Sequence, residues 1–365
     1  ERHTNLVTML EEMAERYDLK VALQRTEAEG LSRLSYGDMH RLAAAFARRL
    51  QGAGVQPGGR VMLGGANHPA WPVAFFGILY AGATVVPVDA GIDPRTARVL
   101  ADASGARIFV SDAKVRGRLA ADLSDVSFWD MLEALSPPAA HRPNGTTPSL
   151  TRPSDDAVAA LIYTSGTTGS PKGVMLTHAN LTALIASLAP LFPLGSGDRV
   201  LSVLPLHHTF ELTCGLLLPL SRGARVIYLD ELNGERLERG LKEGRATALI
   251  GVPALWEMLE RRILARVAEQ GAFASRVFDF TVDLNRALGK SLGIDAGRVL
   301  FGPVHEGLGG HLRYLVSGGA ALGSSTHRLF QGMGLHLAEG YGLTEASPVL
   351  TVAQGGPRAK AGHVG

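Results

Sequence analysis

The chain has 365 residues, 46% of them hydrophobic and 19% charged, with a formal net charge of +2. That length supports a substantial core in more than one unit, and so small a charge, with Lys and Arg dispersed, leaves no electrostatic footprint for nucleic acid. A lone cysteine, Cys214, excludes an internal disulfide; set in the apolar run LTCGLLLPL, it reads as a small core residue in a reducing compartment. The start ERHTNLVTMLEEMAERY is charged and amphipathic, unlike a secretory leader. Ser35 is placed to cap a helix over 36–51, with Asp38 at the third helical position, Gly52 and Gly54 closing it, and Leu42, Phe46 and Leu50 on one apolar face. Short apolar runs then alternate with helical patterns (RVMLGG, WPVAFFGILYA, TVVPV, PRTARVLADA, ARIFVS), which predicts an α/β fold of parallel strands with helices on both faces. In such a sheet, sites lie at the carboxyl ends of strands. Residues 70–88 are uncharged and of marginal length for a membrane span, but Pro72, Gly77, Gly82 and Pro87 interrupt them. A buried helix around 71–81, a turn at Gly82 and a core strand TVVPV are expected instead.

Residues 136–156 are rich in Pro, Ser and Thr and read as an exposed connection into a strand, AVAALIY. A glycine-rich loop follows, and then a helix over THANLTALIASLAPLF. The strands RVLSVLP, ARVIYLD and ATALIGVP predict a second alternating sheet, and RYLVSGG adds one more strand after a mainly helical stretch at 254–300.

The most informative segment is YTSGTTGSPKGV at 163–174, between a strand-like run and a helix-like run. Gly166, Gly169 and Gly173 allow the backbone to converge its N–H groups, Thr164, Ser165, Thr167 and Thr168 add hydroxyl donors, and Lys172 adds a mobile positive charge. The combination suits a nucleoside triphosphate. It is not the common P-loop, which requires glycine before the lysine and Ser or Thr after it, where Pro171 and Gly173 stand here.

This loop resembles the phosphate-binding signature of the adenylate-forming (AMP-binding) superfamily. Three further blocks follow in that family's order: LPLHHTFE at 204–211, VSGGAAL at 316–322 and EGYGLTEASP at 339–348. The stretch at 254–300 is similar to the helical insertion of long-chain fatty acyl-CoA synthetases. The resemblance implies two mostly parallel sheets flanked by helices, forming the large N-terminal domain of an adenylate-forming enzyme. Its expected subdomains are 56–195, and 1–55 with 196–350; residues 257–300 form the insertion and 351–365 begin a third, incomplete subdomain. The family's later ribose-binding Asp, a nearby Arg, the hinge and the C-terminal domain with its lysine all lie beyond GHVG, so this chain is expected to bind nucleotide and to turn over weakly or not at all.

The implied reaction is activation of a fatty acid by ATP to acyl-AMP with release of pyrophosphate, then transfer to CoA, with Mg2+ as cofactor. Thr164 and Glu345 are the implied Mg2+ partners, a hydroxyl and a carboxylate that suit a hard cation, and Thr344 the group reaching the α-phosphate. Lys172 neutralises phosphate charge. Tyr341, between Gly340 and Gly342, offers a ring for adenine, and Gly318, Gly319 and Ala320 leave room for another planar group. His208 is implied to orient the acyl carboxylate, with His207 lining the pocket; adjacent residues on a strand point apart, which argues against a metal pair. Val252 and Trp256 are candidates for the acyl pocket. Other readings are an acyl-AMP ligase loading a carrier protein, an aryl- or amino-acid-adenylating enzyme, and a non-catalytic nucleotide-binding module. A cytoplasmic protein is expected, with peripheral contact to the inner face of a membrane left open.

Overall fold

The computed structural model describes residues 3–27, 30–137, 150, 152–164 and 171–365. Fourteen strands occur among these residues: β1 (Val21–Glu27), β2 (Gly30–Ser35), β3 (Arg60–Gly64), β4 (Thr84–Val88), β5 (Ile108–Ser111), β6 (Ser127–Asp130), β7 (Val158–Thr164), β8 (Lys172–Thr177), β9 (Arg199–Leu201), β10 (Arg225–Leu229), β11 (Ala248–Gly251), β12 (Tyr314–Ser317), β13 (Leu337–Gly342) and β14 (Val349–Ala353). They form a six-stranded sheet in the order β6-β5-β3-β4-β7-β8 and an eight-stranded sheet in the order β14-β13-β12-β11-β9-β10-β1-β2. Pairing is parallel throughout the middle of each sheet. Antiparallel pairs occur only at edges, at β7–β8, β1–β2 and β13–β14.

Strand alternation explains why these runs are apolar at every position. Val61 and Leu63 of β3 face a central core and Met62 an outer one; Val226 and Tyr228 of β10 likewise face the centre, with Ile227 and Leu229 on the other side. The helix Ala70–Tyr80 lies in that centre and is buried at every residue, with Trp71 and Phe75 stacked at 5.6 Å. The stretch is therefore a core helix followed by Gly82 at φ +76° and the buried β4, as its interruptions predict. No helix among the described residues is long and apolar enough to cross a membrane.

The helix Tyr36–Gly52 begins with a full capping box: Ser35 Oγ accepts from the Asp38 N–H at 3.0 Å, and the Asp38 carboxylate accepts from the Ser35 N–H at 3.4 Å. Residues 253–292 are two helices, Pro253–Ala268 and Ala272–Leu292, as the sequence predicts.

One expectation is corrected. The glycine-rich loop does not run from a strand into a helix, because KGVMLT forms β8, antiparallel to β7, with Thr164 opposite Lys172 and Tyr163 opposite Gly173. Gly173 therefore serves cross-strand packing: a Cβ there would lie 2.9 Å from Leu161 Cδ1 and 3.3 Å from Tyr163 Cε1. The helix starts only at His178, behind a second capping box made by Thr177 and Asn180.

Candidate active site

A cavity of about 520 Å³ opens at the carboxyl ends of β9, β11, β12 and β13, within the size range of small-molecule sites. His208, Val252, Gly318, Gly319, Gly340, Tyr341, Gly342 and Thr344 all line it, joined by Phe192, Phe210, Glu211, Cys214 and residues of β14. Residues drawn from three separate sequence blocks thus share one wall. Ala320, Glu345, Thr164 and Lys172 are not on that wall, and Ser165, Gly166, Thr167, Thr168 and Gly169 lie outside the described residues. The short helical turn Thr344–Ala346 nevertheless packs beside β8, whose first residue is Lys172. It joins the hairpin of the first sheet to the cavity of the second.

Glycine is required at particular points of this wall. A Cβ on Gly318 would stand 2.8 Å from Phe210 Cζ; Gly319 has φ +81°. At Gly342 a Cβ would fall 1.6 Å from the Pro348 carbonyl oxygen, so the return from β13 to β14 closes only over a bare backbone. Tyr341, between two glycines, is 50% exposed and offers its ring to the cleft.

His207 and His208 are not on a strand. They occupy a turn after β9, with ring centroids 4.0 Å apart, so the expectation that they point apart is corrected. Only His208 lines the cavity. Burial, and then the neighbouring His208, pull the His207 pKa down to about 4, which keeps that ring neutral. Trp256 is fully buried in the core on the far side of the second sheet, edge-on to Phe330 at 5.9 Å, and does not border the cavity.

Two residues that sequence reasoning missed hold this region. Asn67, after β3, donates from Nδ2 to the Leu204 carbonyl at 2.7 Å and accepts from the Leu206 N–H at 3.2 Å, tying the first sheet to the histidine turn. Its signal in sequence was only an Asn after a Gly-Gly strand end. Glu211 begins a π-helical segment, Glu211–Leu217, is fully buried, and lines the cavity. Burial pushes its carboxyl up to about 8, against the opposing bond that Ser202 Oγ donates to Oε1. Burial likewise pushes the Cys214 thiol up to about 12, so Cys214 is no nucleophile at neutral pH.

The described residues hold no cluster of three or more His, Cys, Asp or Glu fit to bind a metal ion. A Mg2+ that accompanies a nucleotide needs only one or two protein oxygens beside phosphates and water. The Glu345 carboxylate is exposed and without an ion pair among the described residues, and it lies on the turn that meets β8, so the donor chemistry fits.

The family model for AMP-binding enzymes matches residues 10–365. The chain belongs to the AMP-binding enzyme family. Among curated relatives of this AMP-binding enzyme, long chain acyl-CoA synthetase 8 of Arabidopsis thaliana is 27% identical over 368 residues, covering 88% of the chain and 50% of the relative. A feruloyl-CoA synthase from Amycolatopsis is 30% identical over 328 residues, covering 88% of the chain and 57% of the relative. The chain thus spans about half the length of these relatives. Among solved structures, the N-terminal domain of FACL13 from Mycobacterium tuberculosis matches with a TM-score of 0.76 at 21% identity, covering 99% of the chain and 82% of that domain. This likeness shows the fold: two mostly parallel sheets flanked by helices, as in the N-terminal domain of adenylate-forming enzymes.

Proposed function

We propose that the chain carries the adenylation site of a long-chain fatty acid–CoA ligase. The observation that carries this reading is the single cavity shared by His208, Gly318, Gly319, Tyr341 and Thr344, with apolar walls that suit an acyl group. A carboxylate oxygen of the acid attacks the α-phosphorus of ATP, the bond to pyrophosphate breaks, and acyl-AMP forms. A CoA thiol then attacks the acyl carbon, and AMP leaves. Charge on phosphate dominates the first barrier, so the donors that meet it matter most.

In this reading Tyr341 stacks on adenine, with Gly340 and Gly342 clearing its two sides. The Thr344 hydroxyl donates to the α-phosphate, and His208 orients the carboxylate. Lys172, with Ser165, Gly166, Thr167, Thr168 and Gly169, neutralises the triphosphate. Thr164 and Glu345 would hold Mg2+, which supplies positive charge on the phosphate oxygens. Val252 lines the acyl end. The division into subdomains 56–195, and 1–55 with 196–350, is part of this proposal, with β14 (Val349–Ala353) closing the second sheet.

A second reading, an aryl acid in place of the fatty acid, is favoured by the likeness to feruloyl-CoA synthase. Calorimetric titration with non-hydrolysable acyl-sulfamoyl adenosines of increasing chain length, and with a cinnamoyl analogue, separates these readings. Affinity that rises with chain length supports the fatty acid, and preference for cinnamoyl supports the aryl acid. Binding of every acyl analogue no tighter than AMP removes the acyl cavity altogether.

A further inference from the structure

The helix Ala272–Leu292 carries two apolar stripes, where a helix covering a surface needs only one. The first faces the protein: Val282, Asn285 and Gly289 are buried, and Phe278 meets Phe301 edge-on at 5.3 Å. The second lies on the opposite side and points to solvent. It consists of Phe273, which is 82% exposed, Val277, Phe280, which is 68% exposed, and Leu284, with exposed Ala287 continuing the row. A contiguous row of this kind marks an interaction surface, unlike apolar residues scattered singly.

Steps of 4, 3, 4 and 3 residues separate Phe273, Val277, Phe280, Leu284 and Ala287, which is the a/d spacing of a two-helix seam. One flank of the seam holds Arg276, Asp283 and Lys290, at the positions preceding each a residue. The other holds Ala274, Thr281 and Leu288, which carry no charge. The exposed charges of the helix are Arg276, Lys290, Asp279 and Asp283, two of each sign, so the face lacks the basic surround with which a helix lies on a membrane.

These residues complement themselves in one arrangement. In an antiparallel pair with Val277 level with the second helix's Phe280, Phe273 comes level with Leu284, and every ring meets a smaller aliphatic side chain. Arg276 then stands two residues, about 3 Å along the axis, from Asp283 of the other copy, and the twofold axis repeats that contact. A slip of one heptad in either direction sets Arg276 beside Lys290 or beside its own symmetry mate, and a parallel pair sets Arg276 and Asp283 against the uncharged Thr281 and Leu288; like charges and lost pairs thus count against the alternatives. Within its own chain Asp283 meets Arg286 at 3.2 Å and Arg328 at 3.9 Å, both through Oδ1. The Asp283 side chain is nevertheless mostly exposed, so Oδ2 remains open to a further cation.

We propose that the outer face of Ala272–Leu292 is a self-association surface, on which two copies of this chain pair antiparallel through Phe273, Val277, Phe280 and Leu284, with Arg276 and Asp283 fixing the register. An interface built on one helix pair is small, which makes the dimer weak and concentration-dependent.

The test is sedimentation equilibrium of the protein from about 2 to 300 µM, the range in which a small interface associates. The mass is expected to rise from one chain toward two. Phe280→Glu, at an exposed site, is expected to keep the fold by circular dichroism and to remain one chain throughout. Arg276→Glu and Asp283→Arg are each expected to weaken association about tenfold, since each turns two attractions into repulsions. Mixed in equal amounts, those two variants are expected to recover the wild-type association, because in the mixed pair each reversed charge meets an opposite one. A wild type that stays one chain at every concentration overturns the proposal, as does a dimer that persists in folded Phe280→Glu. Association lost in Phe280→Glu but unmoved by the charge reversals, or not recovered in the mixture, overturns the antiparallel register and the proposal with it. Cosedimentation of a single-chain wild type with phosphatidylglycerol vesicles, abolished by Phe280→Glu, would assign the face to a membrane instead. Should Phe280→Glu fail to fold, the two charge reversals and their mixture decide alone.

Discussion

Replacing Glu211 by Gln has a consequence for stability that can be worked from burial. The carboxyl goes from an ordinary 4.5 to about 8 on folding, because it leaves water for a site with one bond from Ser202. Between those values the unfolded chain has released a proton that the folded chain keeps, so raising the pH favours unfolding. The slope is about 1.4 kcal/mol per pH unit, and over the whole window it amounts to roughly 5 kcal/mol. This stability is fully present below pH 4.5 and lost as pH rises through 8. Glu211→Gln binds no proton in either state and lacks the fall. Three histidines, His68, His178 and His207, are each held to about 4 by burial and act in the opposite sense, but they do so in both proteins and cancel in the difference. The neighbours Cys214 and Tyr228 titrate above the window in the folded state. Urea unfolding of both proteins at half-unit steps from pH 5 to 8 reads the difference directly. Its expected course is a steady gain of Glu211→Gln over the wild type, on top of a constant offset from the amide. A difference that stays constant within about 0.5 kcal/mol from pH 5 to 8, where the slope predicts a change of about 4 kcal/mol, refutes the protonated state of Glu211.

Three other perturbations test the site. Tyr341→Ala is expected to weaken AMP and ATP alike by roughly 1 to 3 kcal/mol, the worth of an aromatic face on a base; unchanged AMP affinity in calorimetry removes Tyr341 from the nucleotide site. Glu345→Gln is expected to weaken ATP binding in the presence of Mg2+ and to leave AMP binding intact, and equal loss of both would count against its metal role. Gly342→Ala drives a Cβ against the Pro348 carbonyl and is expected to cost about 1 to 3 kcal/mol in urea unfolding while lowering adenylate affinity; wild-type stability would show that the β13–β14 return has slack.

Much of the fold was legible because its signals are local. Ser35 and Asp38 cap their helix with atoms three residues apart, and Gly82 turns the chain between a helix and a strand that are both wholly apolar. The motif blocks were legible for the same reason. The strand KGVMLT was misread because nothing within six residues distinguishes it from a helix approach; its pairing with β7 decides. Trp256, at a strand end in sequence, turns inward to Phe330, and the choice between cavity and core depends on a residue 74 positions away (330 minus 256).

The sequence by itself determined the alternation of elements, the helix caps and the chemical content of the nucleotide blocks, since each depends on neighbours along the chain. Only the tertiary structure decided which of those residues share one cavity, that Asn67 anchors the histidine turn 137 residues away through Leu204, and that Glu211 is a buried carboxyl rather than one more acid on a helix. The physical reason is desolvation: a side chain's protonation state and its unmet hydrogen bonds are set by whatever the fold packs around it, and for Glu211 those neighbours are Ser202 just after β9, Tyr228 of β10 and its own π-helical turn.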